Sequence, residues 1–169
     1  VHFFDALNGW VVGQFSRIAR TIDGGSHWIA VAPQPDLGVG NLQAITFKPG
    51  NQIGVAVGQL DNETSMPKIL YTQNGGASGW DAPDSISNLK ADSPWDLREV
   101  TWTGAGSFSH FWAVGAPGLV VHSTDDAVNW TEFTPPGFTA AQLSALEFEG
   151  VAFADFKNGI FIANAVYVD

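Results

Sequence analysis

Which chemistry this chain can perform is limited first by what it lacks. Its 169 residues include no cysteine, which removes disulfides, thiol catalysis and cysteine–metal sites together. Four histidines, His2, His27, His110 and His122, lie in or beside apolar runs without metal-ligand spacing. Carboxylates are plentiful: Asp36, Asp61, Glu63, Asp92 and Asp96 fall in segments rich in Asp, Ser, Pro and Gly. Two of them facing each other across a glycosidic bond could serve as acid and base. No spacing marks out a pair, and acidic loop residues are ordinarily solvated. Asp61-Asn62-Glu63 offers oxygen donors to Ca²⁺ but lacks the ligand count of a calcium loop. Trp95 stands in Ala91-Asp92-Ser93-Pro94-Trp95-Asp96. An indole there could stack on a sugar or anchor a partner protein, or could plug a gap between packed elements. No catalytic residue, metal or cofactor is expected.

The elements that position these groups repeat. Thr21-Ile22-Asp23-Gly24-Gly25-Ser26-His27-Trp28 returns as Thr72-Gln73-Asn74-Gly75-Gly76-Ala77-Ser78-Gly79-Trp80 and as Ser123-Thr124-Asp125-Asp126-Ala127-Val128-Asn129-Trp130. Asp23, Asn74 and Asp125 are each 51 residues apart, the mark of a repeated supersecondary unit. In each copy a hydroxyl residue closes one strand and an Asp or Asn takes backbone N–H groups of the turn. Gly25 and Gly76 supply positive φ, and a Trp packs back over the hairpin. Ala127 in place of Gly weakens the turn expected in the third copy.

Apolar runs recur around the motif: Ile45-Thr46-Phe47, Val100-Thr101-Trp102 and Val151-Ala152-Phe153 hold equivalent places. The opening ten residues match 151–160. All the runs are short, rich in Val, Ile, Phe and Trp, and bounded by Gly, Asp, Asn and Pro, which reads as strands. Only residues 139–148 could form a turn or two of helix. Four antiparallel strands per repeat at this period predict an all-β fold, a β-propeller segment of three complete blades plus part of a fourth. The blades fall at about 1–33, 42–83, 97–135 and 146–169. Gln43, Arg98 and Glu149 each precede the innermost apolar run by two residues and are placed at the channel mouth, as ligand contacts or as solvated strand starts. Segments 33–42, 82–97, 135–145, 14–16, 59–67 and 116–118 are expected on the same face.

The motif resembles the Asp-box, or bacterial neuraminidase repeat: Thr21, Asp23, Gly25 and Trp28; Thr72, Asn74, Gly76 and Trp80; Ser123, Asp125 and Trp130. The string Asp5, Asn8-Gly9-Trp10-Val11-Val12-Gly13, Arg17-Ile18 and Thr21 is most similar to the photosystem II stability and assembly factor family. The resemblance implies that the box lies on the hairpin between third and fourth strands, opposite the binding face, and an extracytoplasmic or secreted location. Asp-box sialidases hold a carboxylate with three arginines and attack with a tyrosine. Here Arg17 and Arg20 share an outer strand and cannot converge with Arg98. Tyr71 reads as packed, and Tyr167 lies near the last residue.

Net charge is −10, with seven basic residues scattered among 17 acidic ones, which disfavours nucleic acid and anionic membranes. No apolar run approaches the roughly 20 residues of a membrane-spanning helix. Val1 begins directly in a strand, as expected of a mature protein or an excised piece. Asn62-Glu63-Thr64 and Asn129-Trp130-Thr131 are weak sequons. The six remaining tryptophans are expected in the core. An open arc of blades exposes an apolar seam, so a homo-oligomer or further blades of a longer chain are expected partners. The function expected is a non-catalytic module binding a protein or glycan ligand at the channel face. The alternative is part of a glycoside hydrolase propeller.

Overall fold

Apolar runs bounded by Gly, Asp and Pro become strands throughout the computed structural model, which describes residues 1–31, 39–50, 52–60, 67–87, 95–105, 108–155 and 158–165. β1 (His2–Phe3), β2 (Gly9–Val12), β3 (Ile18–Thr21) and β4 (Ile29–Val31) form one antiparallel sheet in chain order. β5 (Gly40–Phe47), β6 (Gly54–Leu60) and β7 (Pro67–Thr72) form the second. After β8 (Ser85–Ser87) come β9 (Asp96–Ala105), β10 (Phe108–Ala116), β11 (Leu119–Ser123) and β12 (Asn129–Glu132). These make a third sheet in the order β8-β12-β11-β10-β9. α1 (Ala140–Ser144) leads to a two-stranded sheet, β13 (Leu146–Phe153) with β14 (Gly159–Ala165).

One strand departs from the expected four-per-repeat pattern. Instead of completing the second sheet, the chain after β7 makes a single Tyr71–Asp81 bridge, and β8 then pairs parallel with β12. Trp80, fully buried, pins the chain at the crossing. The neighbouring sheet then captures residues 84 and 85: the Asp84 N–H donates to Val128 O at 2.9 Å and Ser85 Oγ to Asn129 Oδ1 at 2.8 Å. The expected helical turn is α1, closed by a capping box between Thr139 and Gln142.

The sheets stack face to face in three seams. Side chains opposite each other in a ladder share a face, so Trp10, Val12, Ile18 and Val31 of the first sheet meet Leu42, Ile45, Phe47, Ala56 and Leu70 of the second. Val55, Val57 and Ile69 on the other face of the second meet Phe111, Ala113, Leu119 and Val121. Trp112, Val114 and Val120 meet Phe148, Val151, Phe153 and Phe161. Strands covered on both faces read as unbroken apolar runs, as in Gly54-Val55-Ala56-Val57-Gly58 of β6.

All three box turns form. The hydroxyls of Thr21, Thr72 and Ser123 accept from the N–H groups of Gly25 (2.9 Å), Gly76 (2.9 Å) and Ala127 (3.1 Å). The same hydroxyls donate to Asp23, Asn74 and Asp125. Those side chains in turn accept from the backbone of His27, Ser78 and Asn129. Hydrogen bonds from the His27 backbone and ring and from Thr21 hold the Asp23 carboxyl down at about 2. The third turn is not weakened as expected, because Ala127 takes the left-handed φ of 72°. Its methyl is buried in the seam that holds Val55, which stands at the register position of Trp10. In the second box Trp10 itself presses on Gly76. Trp28 corrects another expectation. It is 40 % exposed against Phe3, because no sheet among the described residues covers that face of the first one.

Candidate functional site

Three interruptions in strand pairing build the site. The β5–β6 register slips between Leu42 and Ala44, the β13–β14 register between Phe148 and Gly150, and Leu97 and Glu99 pair with adjacent Gly115 and Val114. Gln43, Arg98 and Glu149 are therefore the extra residues of three equivalent β-bulges. A bulge re-aims the side chain it carries. Two of the bulges demand glycine alongside, since a Cβ at Gly58 would lie 1.8 Å from Asn41 O and one at Gly115 1.6 Å from Asp96 O.

Arg98 is the centre of what these bulges bring together. Its Nε donates to Asp96 at 3.1 Å and its Nη1 to Glu147 at 2.9 Å and to Glu149. Asp96 also accepts from the Gln43 side-chain amide. One network thus crosses the second, third and fourth sheets. The Arg98 side chain is 21 % exposed and its carboxylate partners 20–40 %. Burial alone would lower the guanidinium pKa, but the bonds from Glu147 and Asp96 and the charges of Glu149 and Glu147 push it above its ordinary range. Three carboxylates against one guanidinium leave the cluster at −2. Glu147 was missed from the sequence. The available signal was the polar residue two places before each bulge: Asn41, Asp96 and Glu147.

Trp95 is corrected as a surface contact. It is 6 % exposed in the seam between second and third sheets, packed with Leu97 and Val100, so its ring faces no ligand. Arg17 lies over the Phe15 ring and Arg20 pairs with Trp10 and Ile29 in the first sheet, both apart from Arg98. Tyr71 is packed as expected. Burial, then Asp84, Asp81 and Asp125, raise its pKa and oppose the phenolate a nucleophile needs. Among the described residues no group of three His, Asp or Glu is placed to hold a metal. Asp36, Asp61, Glu63, Asp92, Tyr167 and the first sequon lie outside the described residues. In the second sequon, the Asn129 amide donates to Asp125 and accepts from Ser85.

No family model and no curated protein matches the chain. Among solved structures it is similar to YCF48 bound to a D1 peptide, at 23 % identity and TM-score 0.56 over 77 % of this chain. It is also similar to an ancestral GH74 enzyme, at 19 % identity and TM-score 0.61 over 89 % of this chain. The fold is a β-propeller. The stacked sheets are its blades, and the bulged strands β5, β9 and β13 adjoin one another from blade to blade. The chain spans 37 % of the YCF48 chain and 19 % of the GH74 enzyme. Among the described residues, no helix is long and apolar enough to cross a membrane.

Proposed function

We propose that this propeller is a non-catalytic module that binds a protein ligand at the channel mouth, through a Lys- or Arg-bearing segment of that ligand. The observation that carries the reading is the bulge-aimed network of Gln43, Asp96, Arg98, Glu147 and Glu149. Its excess negative charge attracts a cation, and the carboxylates of Glu147 and Glu149 remain partly open to solvent. Burial of Trp95 leaves the contact to the charged network rather than to an indole. The solved structure of YCF48 with a peptide supports a protein ligand by analogy of fold only. A hydrolase needs two carboxylates flanking a bond, whereas here three converge on one guanidinium.

The test is fluorescence titration with an oligo-lysine peptide, an oligo-glutamate peptide and a neutral oligosaccharide. Glu147→Gln/Glu149→Gln is compared with the charge-matched pair Asp81→Asn/Asp84→Asn. The mouth pair is expected to weaken oligo-lysine binding about tenfold, or 1.4 kcal/mol, and the control pair much less. Equal weakening by both pairs, or preference for the oligosaccharide, overturns the reading.

A further inference from the structure

We infer that a hollow between the first and second blades, at the end of the seam where the boxes lie, takes a carboxylate from an acidic side chain of a protein partner, with Arg20 as counter-ion. The hollow measures about 210 Å³ and is lined by Phe4, Asn8, Trp10, Arg20 and Ile22 of the first blade and Gly75 of the second. Walls from two packed blades place it inside the arc, away from both outer faces.

The next seam shows what the same place holds one blade further on. Phe3 faces Gly9 where Phe47 faces Gly54, and Trp10 faces Arg20 where Val55 faces Tyr71. Phe4 therefore corresponds to Lys48 and Arg20 to Tyr71. By place in the box, Asn74 and Gly75 correspond to Asp125 and Asp126. Between the second and third blades, Lys48 Nζ donates to Asp126 at 3.0 Å, and the charge of Asp125 reaches Tyr71. Between the first and second, Phe4 and Gly75 stand at the positions of that ion pair. Arg20 thus meets a box in which both carboxylates are replaced by neutral residues.

Among the described residues the Arg20 guanidinium forms no ion pair or hydrogen bond. The acids close to the hollow in sequence are committed, Asp23 to Thr21 and His27 and Asp5 to Leu7 and Asn8. A guanidinium fork matches a carboxylate bidentately. Phe4, Trp10 and Ile22, the last 60 % exposed, offer apolar walls to the methylene stem of an acidic side chain. The volume falls below the roughly 300–1,000 Å³ of pockets for drug-sized ligands, which selects a single side chain, as Asp126 is in the next seam.

NMR of the intact chain, followed at the Trp10 indole, tests this by titration with N-acetylglutamate N-methylamide, acetate and inorganic phosphate. The blocked glutamate is expected to shift the Trp10 signal and to bind more tightly than either small anion. Arg20→Gln is expected to weaken it about tenfold. Gly75→Asp supplies the carboxylate from within, in a conformation that Asp126 already holds at φ 58° against 64° for Gly75. It is expected to exclude the blocked glutamate by a similar factor, whereas Glu147→Gln/Glu149→Gln leaves its binding unchanged. Undiminished binding in folded Arg20→Gln or Gly75→Asp, or no shift in the wild type, overturns the proposal. Equal binding of acetate overturns the protein source, and preference for phosphate overturns the carboxylate.

Discussion

A single hydroxyl organises each box. In the second one, Thr72 is 1 % exposed, accepts the Gly76 N–H at 2.9 Å and donates to Asn74 at 3.0 Å. Thr72→Val keeps the shape and strands a buried donor. It is expected to cost about 1–3 kcal/mol, read as a lower denaturation midpoint with unchanged slope. The third box shows that the hydrogen bonds outrank the residue type. Asp126 and Ala127 both take positive φ, at 58° and 72°, although a left-handed non-glycine residue costs about 1–2 kcal/mol. The turn was legible in the sequence because its bonds are local, reaching no further than four residues.

Strand and turn elements meet at seams where one side chain's size sets another's. A Cβ on Gly76 would lie 2.5 Å from the Trp10 ring, at a backbone φ of +76°, whereas the next seam holds Val55 with Ala127. Gly76→Ala alone is expected to destabilise by roughly 3 kcal/mol, from overpacking plus left-handed strain. Combined with Trp10→Val it recreates the Val–Ala pairing. The double variant is expected to be more stable than the sum of the two losses by more than about 1 kcal/mol. Urea unfolding of the four proteins in the cycle measures this, and strict additivity would show that the two sites do not touch. At this scale the sequence revealed most strands but read residues 82–97 as a loop and missed β8, whose partner β12 lies over 40 residues later in the chain.

The molecule as a whole is a stack of apolar seams, and histidines sit in two of them. His2 lies against Phe4 and Phe47 between the first and second blades. His122 stacks on Trp112 at 4.8 Å between the third and fourth. Burial, then the nearby N-terminus for His2 and His110 for His122, lowers both pKa values below 6.5. A depressed folded pKa means the contribution to stability is complete above pH 6.5 and is lost as pH falls through the folded value. Thermal unfolding between neutral pH and pH 5 is expected to show falling Tm on acidification. His122→Phe should flatten that slope in part, His2 retaining the rest. An unchanged slope in His122→Phe would place the acid sensitivity elsewhere.

Residue order alone determined the repeat, the all-β class, the box turns and the positions of Gln43, Arg98 and Glu149, because all of these are expressed at fixed spacing along the chain. Only the tertiary structure decided what those positions do. A bulge is a slip in pairing between strands, invisible in either strand alone, and it brings the three side chains into one network across separate blades, Gln43 by way of Asp96. Burial of Trp95, exposure of Trp28 and the migration of β8 were settled in the same way. Each depends on which surface lies opposite, as the two equivalent box tryptophans show: Trp130 is buried in a seam, whereas Trp28 lies on a face that no described sheet covers.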